Sequence, residues 1–263
     1  MAKKERIDIL LVEQGLAESR SMAQRLIMAG QVRVDGQVVS KASRRFQSSV
    51  SITVDLGPAY VSRGGEKLAA ALEYFKIRVE DLVCADVGAS TGGFTDCLLH
   101  AGASRVYAID AGKNQLHWKL RNDPRVVVME RQNARHLNQL DEFVDLVTID
   151  VSFISLGLIF PSVVQWLKPE GEVIALIKPQ FEAGRNAVGR GGVVRDLETH
   201  NSVIKDVLSS AQENQLFPGG LIRSPLLGPK GNVEFLLWLL RCDEGHSQEE
   251  LIASIFPPKS QLS

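Results

Sequence analysis

The sequence predicts an α/β fold in which a mostly parallel seven-stranded sheet, with its last strand antiparallel, is preceded by a small α+β domain. From residue 81 onward, short apolar runs alternate with helical patterns, which is typical of βαβ units. The last two apolar runs have no helix between them, so we expect an antiparallel finish. Before residue 60, two short helical patterns lead to residues that alternate around Asp35-Gly36, the pattern of a β-hairpin.

Composition limits the class of protein. With 263 residues, of which 44% are hydrophobic, the chain can bury one sizeable core and one small additional domain. Its net charge is −1, yet residues 1–60 hold nine Lys and Arg against six Asp and Glu. The three cysteines form no Cys-x-x-Cys pair, and no apolar run approaches the ~20 residues that span a bilayer. We therefore expect a cytoplasmic protein without disulfides, a metal site or a membrane segment.

The first domain is expected to cover residues 1–58. One helical pattern ends at Gly15, and Ser19 can cap a second helix that ends at Gly30. The hairpin follows at 31–39, and a further strand is predicted at 50–54. Cations in this region can converge on the phosphates of a nucleic acid, and the candidate RNA-binding residues are Arg20, Arg25, Arg33, Lys41, Arg44, Arg45 and, in a linker over 59–65, Arg63.

The small and apolar residues of this domain follow a specific pattern, Ser19-Arg20-Ser21-x-Ala23-x-x-Leu26-Ile27-x-x-Gly30-x-Val32-x-Val34-x-Gly36. This pattern resembles the RNA-binding domain named after ribosomal protein S-four, and the resemblance covers residues 5–50. It implies that the cations bind RNA with a salt-dependent and largely sequence-independent affinity. The alternative is that they only keep a small surface soluble.

The second domain is expected over residues 66–242, followed by a polar tail over 243–263. One helix begins at Glu66, and a longer helix is predicted near 198–214. Strands are predicted near 82–87, 105–109, 126–130, 144–149, 172–177, 220–224 and 233–240. Residues 182–196 form a Gly- and Arg-rich stretch that is too long for an ordinary connection, so we expect it to act as a lid or to contact substrate.

A Gly-rich loop follows the first strand of this domain. The stretch Asp86-Val87-Gly88-Ala89-Ser90-Thr91-Gly92-Gly93-Phe94 has the order of a strand, a tight turn and a helix start, which directs helix N-terminal amides at a ligand. Asp110 ends the next strand, where its carboxylate can accept hydrogen bonds from the two hydroxyls of a ribose. Together they predict a nucleoside site, and a purely structural turn is the alternative.

The loop disfavours a dinucleotide. Ser90 stands where the dinucleotide fingerprint requires glycine, and Asp86 would repel a pyrophosphate. Asp86 instead suits the cationic amino-acid part of S-adenosylmethionine. The predicted cofactor-binding residues are Asp86, Gly88, Ser90, Gly92, Gly93, Phe94 and Asp110, together with Asn133 and Ala134, which follow the third strand and are placed to contact adenine.

Charged residues stand at strand ends around the same edge of the predicted sheet. Asp150 ends the fourth strand, Lys178 ends the fifth, and Glu234 begins the antiparallel last strand. Since neighbouring strands lie ~5 Å apart, these three side chains should meet at the carboxyl edge. Ionisable groups seldom lie within such apolar runs, which argues against incidental surface charge. Lys67, on the first helix of the domain, is a fourth candidate.

In chain order, Lys67, Asp150, Lys178 and Glu234 resemble the Lys-Asp-Lys-Glu tetrad of the FtsJ-type RNA 2′-O-methyltransferases. The stretches Arg63-Gly64-Gly65-Glu66-Lys67-Leu68 and Gly92-Gly93-Phe94-Thr95 strengthen the resemblance. With its first domain, the chain is similar over residues 5–240 to the TlyA family of bacterial ribosomal-RNA 2′-O-methyltransferases, also known as haemolysin-like proteins. The resemblance implies a Rossmann-like methyltransferase domain, S-adenosylmethionine as cofactor, and a cytidine of ribosomal RNA in one or both ribosomal subunits as substrate.

The tetrad suits methyl transfer to a ribose hydroxyl. Attack must be in line, so positioning supplies much of the acceleration. Lys178 could act as base or orient a lone pair of the hydroxyl, while Asp150 and Glu234 keep the lysines oriented. Other acceptors fit less well: no cysteine follows the fourth strand for carbon-5 methylation, and Asp150-Val151-Ser152-Phe153 lacks the two prolines usual for exocyclic-amine methylation.

Two other functions stay open from the sequence. One is a non-catalytic RNA-binding or ribosome-assembly factor with a vestigial cofactor site, which methyl transfer would exclude. The other is a haemolysin-like cytotoxin, for which we would expect a membrane-spanning or strongly amphipathic segment and find none in the sequence. The sequence does not indicate the oligomeric state.

Overall fold

The computed structural model describes residues 4–55, 57–184, 189, 191–242 and 245–256. The chain divides into two compact units, Met1–Ala59 and Tyr60–Ser263. Each unit has its own hydrophobic core.

The first unit combines two helices with short strands. Its elements in chain order are β1 (Lys4–Arg6), α1 (Ile7–Glu13), α2 (Arg20–Met28), β2 (Val32–Val34), β3 (Gln37–Val38), β4 (Arg45–Gln47) and β5 (Ile52–Val54). The strands β3, β2 and β5 form an antiparallel sheet, and β1 pairs with β4. As predicted, the Ser19 side chain caps α2, accepting a hydrogen bond from the Met22 amide at 3.2 Å.

A buried carboxylate ties the two helices of this unit together. Asp8 on α1 is fully buried among apolar side chains such as Ile7 and Leu11. It accepts hydrogen bonds from Arg6, Arg20 and Gln24. The Arg6 guanidinium holds the pKa of Asp8 well below its usual range, against the opposing effect of burial, with further help from Gln24 and Arg20. Asp8 is therefore a structural ion-pair centre of the unit.

The second unit is an α/β sandwich. Its elements are α3 (Gly64–Phe75), β6 (Val83–Val87), α4 (Gly93–His100), β7 (Arg105–Asp110), α5 (Trp118–Arg121), β8 (Val126–Glu130), β9 (Val144–Ile149), α6 (Phe160–Trp166), β10 (Leu167–Ile177), α7 (Pro179–Glu182), α8 (Leu197–Glu213), β11 (Phe217–Arg223), β12 (Phe235–Leu240) and α9 (Gln248–Ile255). Short 3₁₀ turns lie at Ala134–His136, Leu156–Leu158 and Pro229–Gly231.

The seven strands of this unit have the spatial order β11-β12-β10-β9-β6-β7-β8. Every pairing among β10, β9, β6, β7 and β8 is parallel, whereas β12 is antiparallel to both of its neighbours. The predicted mostly parallel sheet with an antiparallel last strand is thus confirmed. The carboxyl ends of the five parallel strands meet at one edge, where open α/β sheets bind their ligands.

Alternate residues of each central strand face opposite helical layers. Leu146 and Ile174 face the core shared with α3 and α4, while their chain neighbours Val147 and Ala175 face the core shared with α6 and α8. Burial on both faces explains why these strands are nearly continuous apolar runs.

The structure adds elements that the sequence did not predict. The short pair β1–β4 consists of polar residues apart from Phe46, and β10 begins at Leu167, with a register shift against β9 before Glu172. Helix α9 lies within the segment predicted to be a polar tail. Of the predicted lid at 182–196, residues 185–188 and 190 lie outside the described residues.

Candidate active site

The Gly-rich loop turns sharply between β6 and α4. Gly88 has φ +84°, and a Cβ there would lie 2.6 Å from the Asp150 carbonyl oxygen. The Gly88 amide donates to the Ile109 carbonyl at 2.8 Å. The loop therefore passes so close to the end of β9 that only glycine fits at this position.

Asp86 lies at the end of β6, directly before the Gly-rich loop, and its side chain is buried. Its carboxylate is fully buried and accepts hydrogen bonds from the amide and the hydroxyl of Thr95, at 2.9 and 2.7 Å, and from the Thr148 hydroxyl at 3.2 Å. Desolvation raises the pKa of Asp86 to about 7, although the bonds from Thr95 and Thr148 oppose the shift. Asp86 thus fastens the start of α4 to the sheet, and its carboxylate lines neither of the two cavities described below.

Asp110 lies where the sequence predicted, at the end of β7 on the rim of a cavity. Its Oδ2 accepts a hydrogen bond from the Ser90 amide at 2.8 Å, and its Oδ1 accepts one from the Gly112 amide at 2.6 Å. Each carboxylate oxygen has a second lone pair, so both can accept a further hydrogen bond from a ligand. Asp110 therefore joins the Gly-rich loop to the loop after β7 and still offers acceptors to a ribose.

The cavity beside this carboxylate, here the Asp110 cavity, has a volume of about 420 Å³, within the range of small-molecule sites. Its walls are mainly apolar, with Val87, Ile109, Ile154 and Ile159 among them. The predicted adenine contacts Asn133 and Ala134 line it too. An apolar slot whose lining also includes the carboxylates of Asp110 and Asp150 suits a nucleoside that carries a cationic group, and this combination fits S-adenosylmethionine.

The four charged candidates form two ion pairs at the carboxyl edge of the sheet. Lys67 Nζ on α3 donates to Glu234 Oε2 at 2.6 Å, and Lys178 Nζ lies 2.6 Å from Asp150 Oδ1. Lys178 Nζ also donates to the Ser152 hydroxyl at 3.0 Å. Glu234 is fully buried, and the two lysine side chains are only 11% and 10% exposed. Two buried cations are thus each held by a carboxylate.

All four residues line a second cavity of about 420 Å³, here the tetrad cavity, together with Gly93 and Phe94 of the Gly-rich loop. The two cavities share four lining residues, Gly88, Ser90, Asp150 and Ser152. A group bound in one cavity would therefore face a group bound in the other across these residues. This is the arrangement that transfer between two bound molecules requires.

The remaining predicted loop residue, Gly92, lines neither cavity. It has φ +96°, and the side chains of Leu116 and Leu120 occupy the space that a Cβ would take. Gly92 therefore allows α5 and the segment before it to pack directly on the Gly-rich loop.

Several functional residues were missed by the sequence prediction. Ser152 contacts Lys178, and Gln180 Nε2 donates weakly to Glu234 Oε1 at 3.4 Å. Glu182 accepts the Leu156 amide at 2.9 Å, and desolvation raises its pKa despite this bond. Its bond fastens α7, which follows Lys178, to the loop that follows Asp150. The position of Ser152 two residues beyond Asp150 is a signal that could have identified it.

Phe153 is another such residue. It lines the Asp110 cavity, is 90% exposed, and has a left-handed φ of +65°. Its ring lies 4.7 Å from that of Phe181. An exposed phenylalanine held in a strained backbone conformation marks a functional segment rather than a packing role.

The predicted RNA-binding residues of the first unit are all exposed. Arg20 donates to the buried Asp8 at 3.1 Å, and Arg44 lies over the Phe46 ring. Arg45 donates to the Lys4 carbonyl at 3.3 Å. Arg25, Arg33 and Lys41 have no ion-pair partner among the described residues. In the second unit, Arg63 lines the tetrad cavity.

The described residues contain no cluster of His, Cys, Asp and Glu suited to hold a metal ion. Within the same ranges, no helix has the length and apolar character needed to cross a membrane.

Comparison with known proteins supports the geometry. The profile of the FtsJ-like methyltransferases matches residues 60–241, and that of the S4 domain matches residues 5–52. The chain is 48% identical to the 16S/23S rRNA (cytidine-2′-O)-methyltransferase TlyA of Mycobacterium tuberculosis, covering 91% of each protein. It is 43% identical to Hemolysin A of Brachyspira hyodysenteriae, over 88% of this chain and 98% of that protein.

Solved structures agree with these similarities. A Streptococcus thermophilus structure, described as that of a candidate hemolysin, has a TM-score of 0.71 and 42% identity, covering 97% of this chain and 96% of the other. An S-adenosylmethionine-dependent methyltransferase of Listeria monocytogenes, 16% identical with a TM-score of 0.51, shares the fold over 67% of this chain.

Proposed function

The chain belongs to the FtsJ-like methyltransferase family, and from this premise we propose that it methylates the 2′-hydroxyl of a cytidine ribose in ribosomal RNA. S-adenosylmethionine is its cofactor. The Mycobacterium tuberculosis relative named as an rRNA (cytidine-2′-O)-methyltransferase shares nearly half of its residues with this chain over almost its whole length, which supports the choice of ribose and base.

One observation carries the proposal. The ion pairs Lys67–Glu234 and Lys178–Asp150 line the tetrad cavity, and this cavity shares four residues with the Asp110 cavity. When bound in the Asp110 cavity, the cofactor supplies a methyl group activated on a sulfonium. A ribose in the tetrad cavity would then present its hydroxyl across Asp150 and Ser152. This juxtaposition is what in-line attack requires.

The residues of the tetrad divide the work. The hydroxyl oxygen must be held in line and must lose its proton as it gains the methyl group. Lys178 Nζ, fixed by Ser152 Oγ and Asp150 Oδ1, can hydrogen-bond that oxygen and orient its lone pair. The proton reaches the Asp150 carboxylate by relay: Lys178 gives one of its protons to Asp150 and takes up the proton of the hydroxyl, so that the lysine ends with its original charge. Lys67 and Glu234 fix the opposite wall of the cavity.

The first unit supplies affinity for the RNA. Its S4-type domain carries exposed cations on short helices and strands, with Arg25, Arg33 and Lys41 available to phosphates. Phosphate contacts position an RNA without reading its sequence. Selection of the target nucleotide therefore falls to the second unit and to the shape of the ribosomal RNA.

The test is transfer of tritiated methyl from S-adenosylmethionine to purified ribosomal subunits and to their extracted RNA, followed by nucleoside analysis. We expect labelled 2′-O-methylcytidine with the wild-type protein and none with Lys178→Ala, which should still bind cofactor and RNA. Lys168→Ala is the matched control, because Lys168 forms a similar ion pair with Asp145, 2.7 Å long, near the start of β9 and hence at the opposite edge of the sheet.

Each result has one meaning. Label in a base, or in the ribose of another nucleotide, would contradict the proposed substrate. A fully active Lys178→Ala variant would contradict the role of the tetrad. If the wild-type protein bound cofactor and RNA but transferred no methyl group to subunits or free RNA, the chain would be a binding protein with a vestigial site.

A further inference from the structure

Trp118 is exposed on the surface of the second unit. Its side chain is 71% exposed, whereas Trp166 is buried and Trp238 is half-buried with its indole N–H donated to Glu172. An indole is the largest apolar side chain, and exposing it to water is unfavourable unless a partner covers it. The ring of His117 lies 5.9 Å from that of Trp118 at an interplanar angle of 33°. Two adjacent, mutually tilted rings thus form an aromatic surface.

This surface is held rigidly. The Glu130 carboxylate accepts hydrogen bonds from the amides of Asn114, Gln115 and Leu116, at 2.8–3.2 Å. It also accepts one from Arg121 at 2.7 Å. These bonds fix both the segment before α5 and the end of α5 itself. The backbone that carries Trp118, at the start of α5, is therefore held on both sides.

The surface adjoins both cavities. The His117 amide donates to the carbonyl of Thr91, and Thr91 lines the tetrad cavity. Gln115, three residues before Trp118, lines the Asp110 cavity. The aromatic pair is thus connected through one hydrogen bond to the loop on which transfer is proposed to occur.

The charge of this edge suits a polyanion. Residues 111–122 and 131–137 follow the carboxyl ends of β7 and β8, and they contain no Asp or Glu but five cations, Lys113, Lys119, Arg121, Arg131 and Arg135. The carboxylates at the two strand ends, Asp110 and Glu130, are engaged by backbone amides, and Lys119 and Arg121 make ion pairs with Asp96 and Glu130. The whole chain carries a net charge of −1, so this local surplus is a property of the edge.

We propose that Trp118 stacks on an unpaired base of the substrate RNA next to the target nucleotide, with the phosphates of that segment facing the cations of the same edge. The proposal rests on the function proposed above and names a contact for its substrate. Indole rings bind unpaired bases by stacking, which is strong and tolerant of sequence because every base has a π-face. Trp118 would thereby hold the RNA strand beside the tetrad cavity without contacting the reacting atoms.

The first experiment uses fluorescence. Because Trp118 is the exposed tryptophan, the difference between the wild-type and Trp118→Phe spectra isolates its emission. Titration with a single-stranded cytidine-containing oligoribonucleotide should quench this component, since a stacked base quenches indole. Titration with S-adenosylmethionine alone should leave it unchanged.

The second experiment uses steady-state methyl transfer to ribosomal subunits. Trp118→Ala should raise the KM for RNA by about ten-fold, the loss expected for one stacking contact, with the Kd for S-adenosylmethionine unchanged. Trp118→Phe should recover most of the loss. Phe143→Ala is the matched control: Phe143 is 60% exposed but precedes β9, at the amino edge of the sheet. It should behave as wild type.

The outcomes separate this proposal from the function on which it rests. Normal methylation with an unchanged KM for RNA in Trp118→Ala, and no RNA-dependent quenching, would overturn the stacking contact and leave the function standing. A weakened Kd for the cofactor in Trp118→Ala would also overturn it, because Trp118 would then act through the loop. Absence of RNA binding and methylation by the wild-type protein would remove the proposed function and the contact together.

Discussion

Lys67 and Glu234 lie 167 positions apart in the sequence, yet the Nζ of the lysine and the Oε2 of the glutamate are 2.6 Å apart. The glutamate is fully buried, and this lysine is its ion-pair partner. Gln180 adds only a long hydrogen bond to the other carboxylate oxygen. The pair joins α3, at the start of the unit, to β12, near its end.

Removal of one partner should therefore destabilise the protein. Lys67→Met leaves a buried carboxylate without its counter-ion, at a cost of about 3 kcal/mol or more. The double variant Lys67→Met with Glu234→Gln should recover most of the lost Tm, because no buried charge is left unpaired. Both variants should lack methyl transfer. Thermal melts and the methyl-transfer assay should be applied to the wild type, the single variant and the double variant. A double variant no more stable than Lys67→Met would refute the coupling.

Asp86 should make stability depend on pH. Its folded pKa of about 7 lies above the ~3.9 of an unfolded aspartate, so the folded state retains a proton that the unfolded state releases. The contribution of Asp86 to stability therefore falls as the pH rises from about 4 to 7. Asp86→Asn keeps an acceptor for Thr95 but has no group that titrates. Between pH 5 and pH 8, its free energy of unfolding should therefore rise relative to that of the wild type by on the order of 2 kcal/mol. A stability difference that stays constant across this range would contradict the prediction.

Glu130 should control the affinity for the cofactor. Desolvation raises the pKa of Glu130, but hydrogen bonds lower it to about 2. These bonds come from the amides of Asn114, Leu116 and Gln115 and from the Arg121 side chain. The carboxylate therefore holds the loop at every pH above about 4, and its contribution is lost only as the pH falls toward 2.

Accordingly, Glu130→Ala should weaken the Kd for S-adenosylmethionine by about ten-fold, because the loop that contains Gln115 loses three backbone hydrogen bonds and α5 loses the bond from Arg121. The effect should be the same at pH 6 and pH 8. Isothermal titration measures it, and Glu142→Ala provides the comparison, since Glu142 binds Arg105 and Tyr107 before the start of β9. Equal affinities in the two variants would argue that the loop is held by other contacts.

Gly88→Ala should abolish cofactor binding. The new Cβ would lie 2.6 Å from the backbone oxygen of Asp150, and the φ of +84° is itself unfavourable for alanine. Gly15→Ala separates the two effects, because Gly15 has φ +70° but no atom within 4 Å of the added Cβ. We expect the Gly15 variant to lose about 1 kcal/mol of stability and no affinity. Retention of normal cofactor affinity by Gly88→Ala would show that the loop can move.

The cations of the first unit should differ in their contribution to RNA binding. Arg33 has no ion-pair partner among the described residues, whereas Arg20 is engaged with Asp8. Arg33→Ala should lower the slope of log affinity against log salt by about 0.7–0.9, the value of one phosphate contact. Arg20→Ala should change this slope less and the Tm more. Filter binding at several salt concentrations measures the slope, and thermal melts measure the Tm. A larger change of slope in Arg20→Ala than in Arg33→Ala, with no greater loss of Tm, would show that Asp8 does not hold Arg20.

The periodicity of the sequence was sufficient for the sheet but not for its polar elements. The strands β6 to β9 are apolar runs with clear ends, and their predicted bounds agree with the structure within a residue. The pair β1–β4, in contrast, has three charged residues in β1 and no alternating pattern. Its pairing depends on contacts 41 residues apart, such as Arg45 with the Lys4 carbonyl, which no local pattern encodes.

The site could be predicted as far as strand ends place side chains. Asp150, Lys178 and Glu234 were brought together because parallel and antiparallel strand ends share an edge. The direction of an acidic side chain is not encoded in this way. Asp86 and Asp110 both stand at strand ends. The Asp86 carboxylate is hydrogen-bonded to Thr95 and Thr148 beneath α4, whereas Asp110 lines a cavity.

The position of β12 has a consequence for synthesis. This strand is made last but lies inside the sheet, between β10 and β11, so β11 can join only after β12 has been inserted. Glu234 comes into place with the same segment. A chain that has been translated only through Lys178 contains both partners of the Lys178–Asp150 pair but lacks Glu234, the partner of Lys67. The complete tetrad therefore requires synthesis to pass Glu234, so a growing chain is not competent for the proposed reaction before the segment that forms β12 is available.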